Sequence, residues 1–374
     1  MNIGLIIYGP LDQVSGGYLY DRKIVEFFRD MGATVEVISL SSGNYVLHLT
    51  DNIFSALPRV LQDIHPDVLI QDELCHPSLF HLNREIRNSL NCPVISIVHH
   101  LRSSEARIVC HNRLYRWIEK SYLSTIDGFI FNSKTTHGVV RDLLGKDRPA
   151  VVAFPGGDHV NPNIADDTIL ERALCPGPLK ILFIGNVIPR KGLHELISAL
   201  GRLPRQRWRL TVVGSLAADT AFTRRIRHLI AGGGLGEQVE LMGSVDDKNL
   251  TDLLKVHHCL AVPSFYEGFG IVYLEAMAFG LPIIASTSGA VPEIIDDGRE
   301  GFLVAPGDKL AIADCMGLLI RNRNLLAVMS LRARKRYLAH PSWADGAGRI
   351  YEFLRDMIHM KKDMCRESVR SPCP

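Results

Sequence analysis

What this chain lacks narrows it first. No uninterrupted apolar run approaches the ~18–20 residues of a membrane-spanning helix, so a bundle of such helices is excluded. Eight cysteines stand at 75, 92, 110, 175, 259, 315, 365 and 373 with no Cys-x-x-Cys among them. Several lie beside apolar runs, a pattern of free thiols in a cytosolic protein and not of a disulfide framework or zinc site. Neither sign of charge dominates: 42 Lys and Arg against 40 Asp and Glu leave +2. A chain that binds nucleic acid as a whole is therefore not expected, although local basic patches remain open. No basic segment precedes the first apolar run, Ile3 to Ile7, so a signal peptide is not expected. Gly-x-Gly-x-x-Gly is missing, and the glycines from Gly232 to Gly236 follow a helical stretch instead of a strand, which disfavours a nicotinamide enzyme. Asp-x-Asp, which could hold a metal, is missing too. There is no internal repeat and no low-complexity tract.

What is present is an alternation. With 374 residues, 47% hydrophobic and 22% charged, the chain has the composition of a folded protein of two ordinary domains. Short apolar runs fall at Ile3–Ile7, Val35–Ile38, Val68–Ile70, Val94–Val98, Gly128–Phe131 and Val151–Phe154. A second series follows at Ile181–Ile184, Leu210–Val213, Val239–Met242, Leu260–Val262, Ile283–Ala285 and Phe302–Val304. Apolar strands separated by helical stretches predict parallel sheets covered on both faces, and two series predict two doubly wound α/β domains. The break falls between Pro155 and Pro178, where proline and glycine cluster. An amphipathic segment follows Pro341, and the polar stretch from Lys361 to Pro374 is expected to be disordered.

The chemistry concentrates at strand ends. After Cys259–Val262 the chain reads Pro-Ser-Phe-Tyr-Glu-Gly-Phe-Gly-Ile-Val-Tyr-Leu-Glu, placing Glu267 and Glu275 around the turn Gly268-Phe269-Gly270. A strand that turns through glycine into a helix aims free N–H groups and the positive helix pole outward, which suits a diphosphate. Glu267 at the lip can reach a ligand's reacting end, and Glu275 a hydroxyl pair further back. After Ile181–Ile184 come Arg190 and Lys191 before another helix, a phosphate clamp of bidentate and point charges or else a basic surface turn. Ser15-Gly16-Gly17 follows the first strand. His99 and His100 end the fourth, at the sheet edge where ligands collect, and a histidine there can share a proton or bond a hydroxyl. From about Ser103 a helix is expected through Leu123. Arg102, Arg113, Arg116 and Lys120 form a basic stripe, with Leu114, Tyr115, Ile118 and Tyr122 opposite and Trp117 beside it. Such a helix can lie on an anionic membrane, or simply pack its apolar face on the sheet.

These stretches resemble the donor site of retaining GT-B glycosyltransferases, in particular glycosyltransferase family four (glycosyl transferases group 1). Ala276-Met277-Ala278-Phe279-Gly280-Leu281-Pro282 and Gly289-Ala290-Val291-Pro292-Glu293 follow the same pattern. The resemblance implies two Rossmann-like domains facing across a cleft. Residues 1–170 would be the acceptor side, 178–340 the nucleotide-sugar side, and 341–360 a helix crossing back to the first domain. It implies Glu267 and His99 as catalytic residues. Gly17, Arg190, Lys191, Gly268, Phe269, Gly270, Ile271, Val272 and Glu275 would hold the donor, with Met242 and Val245 flanking its base. His100 stands where the family usually has aspartate. No metal and no cofactor is implied, because two cations and a helix dipole can carry the leaving diphosphate. The implied partners are a nucleotide-sugar, with a UDP-sugar favoured, and a lipid, lipid-linked or glycan acceptor. The implied place is the cytoplasm, with the basic stripe offering a way onto the inner membrane face. A GT-B nucleotide-sugar epimerase and a non-enzymatic nucleotide- or carbohydrate-binding protein are the rival readings. The intact Glu267 and Glu275 speak against the latter.

Overall fold

The strands form where the apolar runs predict them, and most runs extend by a residue or two at their ends. The computed structural model describes residues 1–41, 43–52, 56–105, 109–160 and 162–370. Two compact units result, one from Met1–Pro155 with the terminal segment after Pro341, the other from Gly156–His340.

In the first unit, β1 (Asn2–Tyr8), β2 (Thr34–Leu40), β3 (Val68–Asp72), β4 (Val94–Val98), β5 (Gly128–Phe131) and β6 (Ala150–Val152) make one sheet in the order β2-β1-β3-β4-β5-β6. In the second, β7 (Leu179–Ile184), β8 (Trp208–Val213), β9 (Val239–Gly243), β10 (Cys259–Val262), β11 (Ile283–Ser286) and β12 (Gly301–Val304) make another, in the order β12-β11-β10-β7-β8-β9. All neighbouring strands pair in parallel. Helices on both faces explain why β3, β4, β5, β10 and β11 are buried at every position and read as unbroken apolar runs.

Strand order reverses once in each sheet. In the first the reversal lies between β1 and β3, and in the second between β7 and β10. Crossovers leave toward opposite sides there and open a crevice at the carboxyl ends of the two strands. The residues of interest follow those four strands or a close neighbour.

Three expectations need correction. The first unit ends at Pro155, not near residue 170. The helix Asp166–Leu174 packs on Arg323–Leu338, its Arg172 donates to the Phe279 carbonyl at 2.8 Å, and Ile169 is fully buried. The final segment, expected to be disordered after Lys361, is helical from Trp343 to Arg370, and residues 371–374 lie outside the described residues. It packs on the helix Gly16–Asp30, with Trp343 against Tyr20 and Tyr351 against Phe28. The basic helix begins at Val109 instead of near Ser103, after a short 3-10 turn, Arg102–Ser104; residues 106–108 lie outside the described residues. Arg102 leaves the stripe and stacks between the Tyr45 and Tyr115 rings, 4.9 Å from each centroid. Leu114, expected on the covered face, is exposed. Periodicity carries Arg102 into a segment that is not one continuous helix.

Candidate active site

The second unit builds its site from three loops that hold one another. Phe265 N–H donates to the Arg190 carbonyl at 2.7 Å, tying the loop after β10 to the loop after β7. Ala290 N–H donates to the Glu267 carbonyl at 3.0 Å, bringing in the loop after β11. Gly289, at φ 70°, lies so close that a Cβ would collide with that same carbonyl. The turn Gly268-Phe269-Gly270 is sharpened by Gly270, at φ 97°, and opens the helix Ile271–Ala278, whose N-terminus no side chain caps.

Between these loops sits Glu267, only 8% exposed. Lys191 Nζ donates to its Oε2 at 2.7 Å, Ser264 Oγ donates to the same oxygen at 3.1 Å, and Arg190 Nη1 stands 4.0 Å away. Arg190 is itself braced on the Tyr266 carbonyl at 2.7 Å. Burial pushes the Glu267 carboxyl up, but Lys191 and then Arg190 outweigh it and hold the group below its ordinary value. The site therefore presents a fixed anion flanked by two cations. Lys191 and Arg190 do not lie in an open basic turn; their side chains are 14% and 25% exposed.

Glu275 lies one turn into the helix and pairs with His159, whose Nε2 stands 2.8 Å from Oε1. Ile271 and Phe269 are buried, the latter beside the His340 ring, so only their backbone can meet a ligand. Gly268 and Val272 are half-buried in the same turn and first helical turn. Met242 lies one residue before the end of the edge strand β9 and Val245 follows the strand, with β8 between them and β7. Ser264 and His159 are site residues that sequence reasoning misses. Ser264 lies three residues before Glu267 in the same motif, a spacing that could have pointed to it.

In the first unit, Gly17 and His99 come together. A Cβ at Gly17 would stand 3.3 Å from the His99 ring, so the helix Gly16–Asp30 approaches the end of β4 closely at this glycine. Tyr20 meets the ring edge-on, and the His99 carbonyl accepts from Thr136. His100 pairs with Glu105 at 3.2 Å. Two buried groups in this unit carry atoms close enough to hold a metal: Asp21, Asp72 and His99, and Glu73, His76 and Glu119. In the second group both His76 nitrogens are engaged, Nδ1 on the Glu73 carbonyl at 2.9 Å and Nε2 with the Tyr45 hydroxyl at 3.0 Å. In the first group His99 Nε2 stands 3.3 Å from Asp21 Oδ1.

Comparison with known proteins fits this geometry. The family model of glycosyl transferases group 1 matches residues 170–336. A D-inositol 3-phosphate glycosyltransferase of Nocardia farcinica is 29% identical over 246 residues, covering 63% of this chain and 53% of the relative. The chain thus spans about half the length of the first curated relatives it matches. A phosphatidyl-myo-inositol mannosyltransferase of Mycobacterium leprae is 27% identical over 369 residues, covering 91% of this chain and 90% of that one. Among solved structures, Anabaena HepE in complex with UDP-glucose superposes with a TM-score of 0.76 at 20% identity, over 95% of this chain and 100% of the other. That likeness establishes the fold, two doubly wound units of the GT-B class. Over residues 170–336, the chain matches the glycosyl transferases group 1.

Proposed function

We propose that the chain transfers a hexosyl group from a nucleotide-sugar to an acceptor, with retention of configuration and without a metal. The observation that carries this is the buried Glu267 clamped by Lys191 and Arg190 at the sheet's reversal point, beside an uncapped helix N-terminus. Charge develops at two places in such a transfer, on the leaving diphosphate and at the sugar's anomeric carbon. Arg190, Lys191 and the N–H groups after Gly268 meet the first. Glu267 holds the sugar hydroxyls near the second. Glu275 holds the ribose and shares its carboxylate with His159. Met242 and Val245 flank the base. Gly17 and His99 serve the reaction from the first unit. A UDP-sugar is the favoured donor, a choice supported by the UDP-glucose bound to HepE. A lipid or lipid-linked acceptor is favoured over a free glycan, supported by the phosphatidyl-myo-inositol mannosyltransferase among the relatives. Contact with the inner membrane face through the basic helix belongs to the same reading.

The test is thermal unfolding with UDP, GDP, ADP and dTDP and their sugars, all in EDTA. A ligand of the folded state at 100 times its Kd stabilises by about 2.7 kcal/mol, so one nucleoside diphosphate should raise the Tm by several degrees. If none does at millimolar concentration, the donor reading fails. Activity lost in EDTA and restored only by magnesium or manganese would overturn the metal-free mechanism. An epimeric sugar formed from donor alone would point to the epimerase instead.

A further inference from the structure

The reversal point of the first sheet gathers three ionisable groups with almost no exposure to water. Asp21 comes from the helix after β1, Asp72 ends β3, and His99 follows β4; they are 1%, 1% and 7% exposed. His99 Nε2 stands 3.3 Å from Asp21 Oδ1. Neither oxygen of Asp21 has a hydrogen-bond partner among the described residues, and Nε2 is not aligned as one. Asp72, by contrast, accepts from Leu74 N–H at 2.9 Å. A buried carboxylate without donors is costly unless a positive charge faces it. Here that charge can come from His99, whose ring is fixed by the close approach of Gly17 and by the edge of Tyr20.

We propose that Asp21 is a positioning residue for His99: its buried carboxylate keeps the imidazole cationic, so that His99 serves the reaction as a hydrogen-bond donor and not as a base. The placing of His99 in the reaction rests on the function proposed above; the pairing with Asp21 does not. With Nε2 turned to Asp21, Nδ1 is the nitrogen that remains for a sugar hydroxyl or phosphate oxygen. The surrounding charges agree. Burial alone would push the His99 imidazole down, but Asp21 first, then Asp72 and Glu73, raise it to about 9. Burial and Asp21 raise the Asp72 carboxyl to about 7. Of the other titratable groups nearby, Cys75 and Tyr20 are held neutral by burial, and the charge of Arg349 on the terminal helix acts on Tyr20.

The experiment is an NMR titration of the full chain labelled with ¹⁵N-histidine, with His99→Gln to assign the His99 signal. Wild-type His99 should stay protonated through neutral pH and titrate near 9. In Asp21→Asn its pKa should fall by about 1–3 units, and in Asp72→Asn by less. A wild-type value near the ordinary 6.5, an unchanged value in Asp21→Asn, or an equal drop in Asp72→Asn would overturn the proposal. So would zinc or manganese binding that replaces the proton on His99. If Asp21→Asn does not fold, the wild-type titration still decides. A second readout is UDP release from UDP-glucose against pH. Asp21→Asn should lower kcat by about tenfold or more, leave the Kd for UDP unchanged, and move the alkaline limb from near 9 toward neutrality. A lowered kcat with an unmoved limb would make Asp21 merely structural. Failure of wild type to bind UDP would sink the choice of a UDP-sugar as donor, while the titration would still decide the pairing of Asp21 with His99.

Discussion

A carboxylate that is to hold sugar hydroxyls must be both ionised and immobile, and Glu267 is made so by its neighbours. Lys191 at 2.7 Å and Ser264 at 3.1 Å fix one oxygen, and the lowered pKa keeps the group charged. Glu267→Gln should therefore lower turnover by about 10²-fold or more while leaving UDP affinity, measured by calorimetry, nearly intact. Lys191→Ala is a different case. It strands a buried anion, and breaking such a pair from one side costs about 3 kcal/mol. Urea denaturation should show that loss, and Lys191→Ala with Glu267→Gln together should lose less than the sum of the two singles. Equal additivity would mean the pair is not coupled. The sign with pH follows from the depressed carboxyl. The pair stabilises above the ordinary carboxylate range, and the stabilisation is lost as pH falls through the lower value of the folded state. Glu267, Lys191 and Arg190 are legible in the sequence because each lies in a short motif at a strand end. His159 and Asp21 are not, since their partners come from far along the chain; His159 and Glu275 are 116 residues apart.

At the scale of elements, the parallel sheets are the most legible part, because a strand buried on both faces must be apolar throughout. All twelve strands sit where their runs lie. Helix ends are less so. The turn Arg102–Ser104 and the helix Val109–Leu123 read as one element because their charges happen to share a period, while cation–π stacking of Arg102 on two tyrosines is a tertiary fact that no local pattern carries. The joining of loops is equally tertiary. Gly289 belongs to a recognisable motif, yet its role appears only where the chain passes against the Glu267 carbonyl. Gly298 makes a control: it has a similar φ of 73° with nothing near its missing Cβ. Gly298→Ala should cost only the backbone strain of about 1–2 kcal/mol. Gly289→Ala should cost more than that and also depress kcat, because the collision displaces Glu267. Matching Tm losses in the two variants, with activity retained in both, would show that the three loops are not braced as described.

For the molecule as a whole, the question is how a chain of net charge +2 would reach a lipid acceptor. No helix among the described residues is long and apolar enough to cross a membrane, so contact through the described helices would be peripheral. The helix Val109–Leu123 offers the means. Ile118, Tyr122 and Leu123 are buried in the first unit, while Arg113, Arg116 and Lys120 are exposed. Trp117 is 60% exposed, with one edge against Phe80, and Val109 and Leu114 of the same helix are exposed too. Three cations interleaved with exposed apolar side chains suit an anionic interface better than bulk water. Each cation near such a surface is worth about 1 kcal/mol, and salt weakens the attraction over a Debye length of about 10 Å at 0.1 M. Wild type should therefore pellet with phosphatidylglycerol-containing vesicles at low salt and release as salt rises. A variant with Arg113, Arg116 and Lys120 changed to Ser should stay in the supernatant, and Trp117→Ala should bind more weakly at the same salt slope, since it removes apolar insertion and no charge. If wild type fails to pellet at every lipid composition, the helix is a scaffold element whose charges face water. The acceptor is then to be sought among soluble sugars, with the donor site proposed in the second unit unaffected.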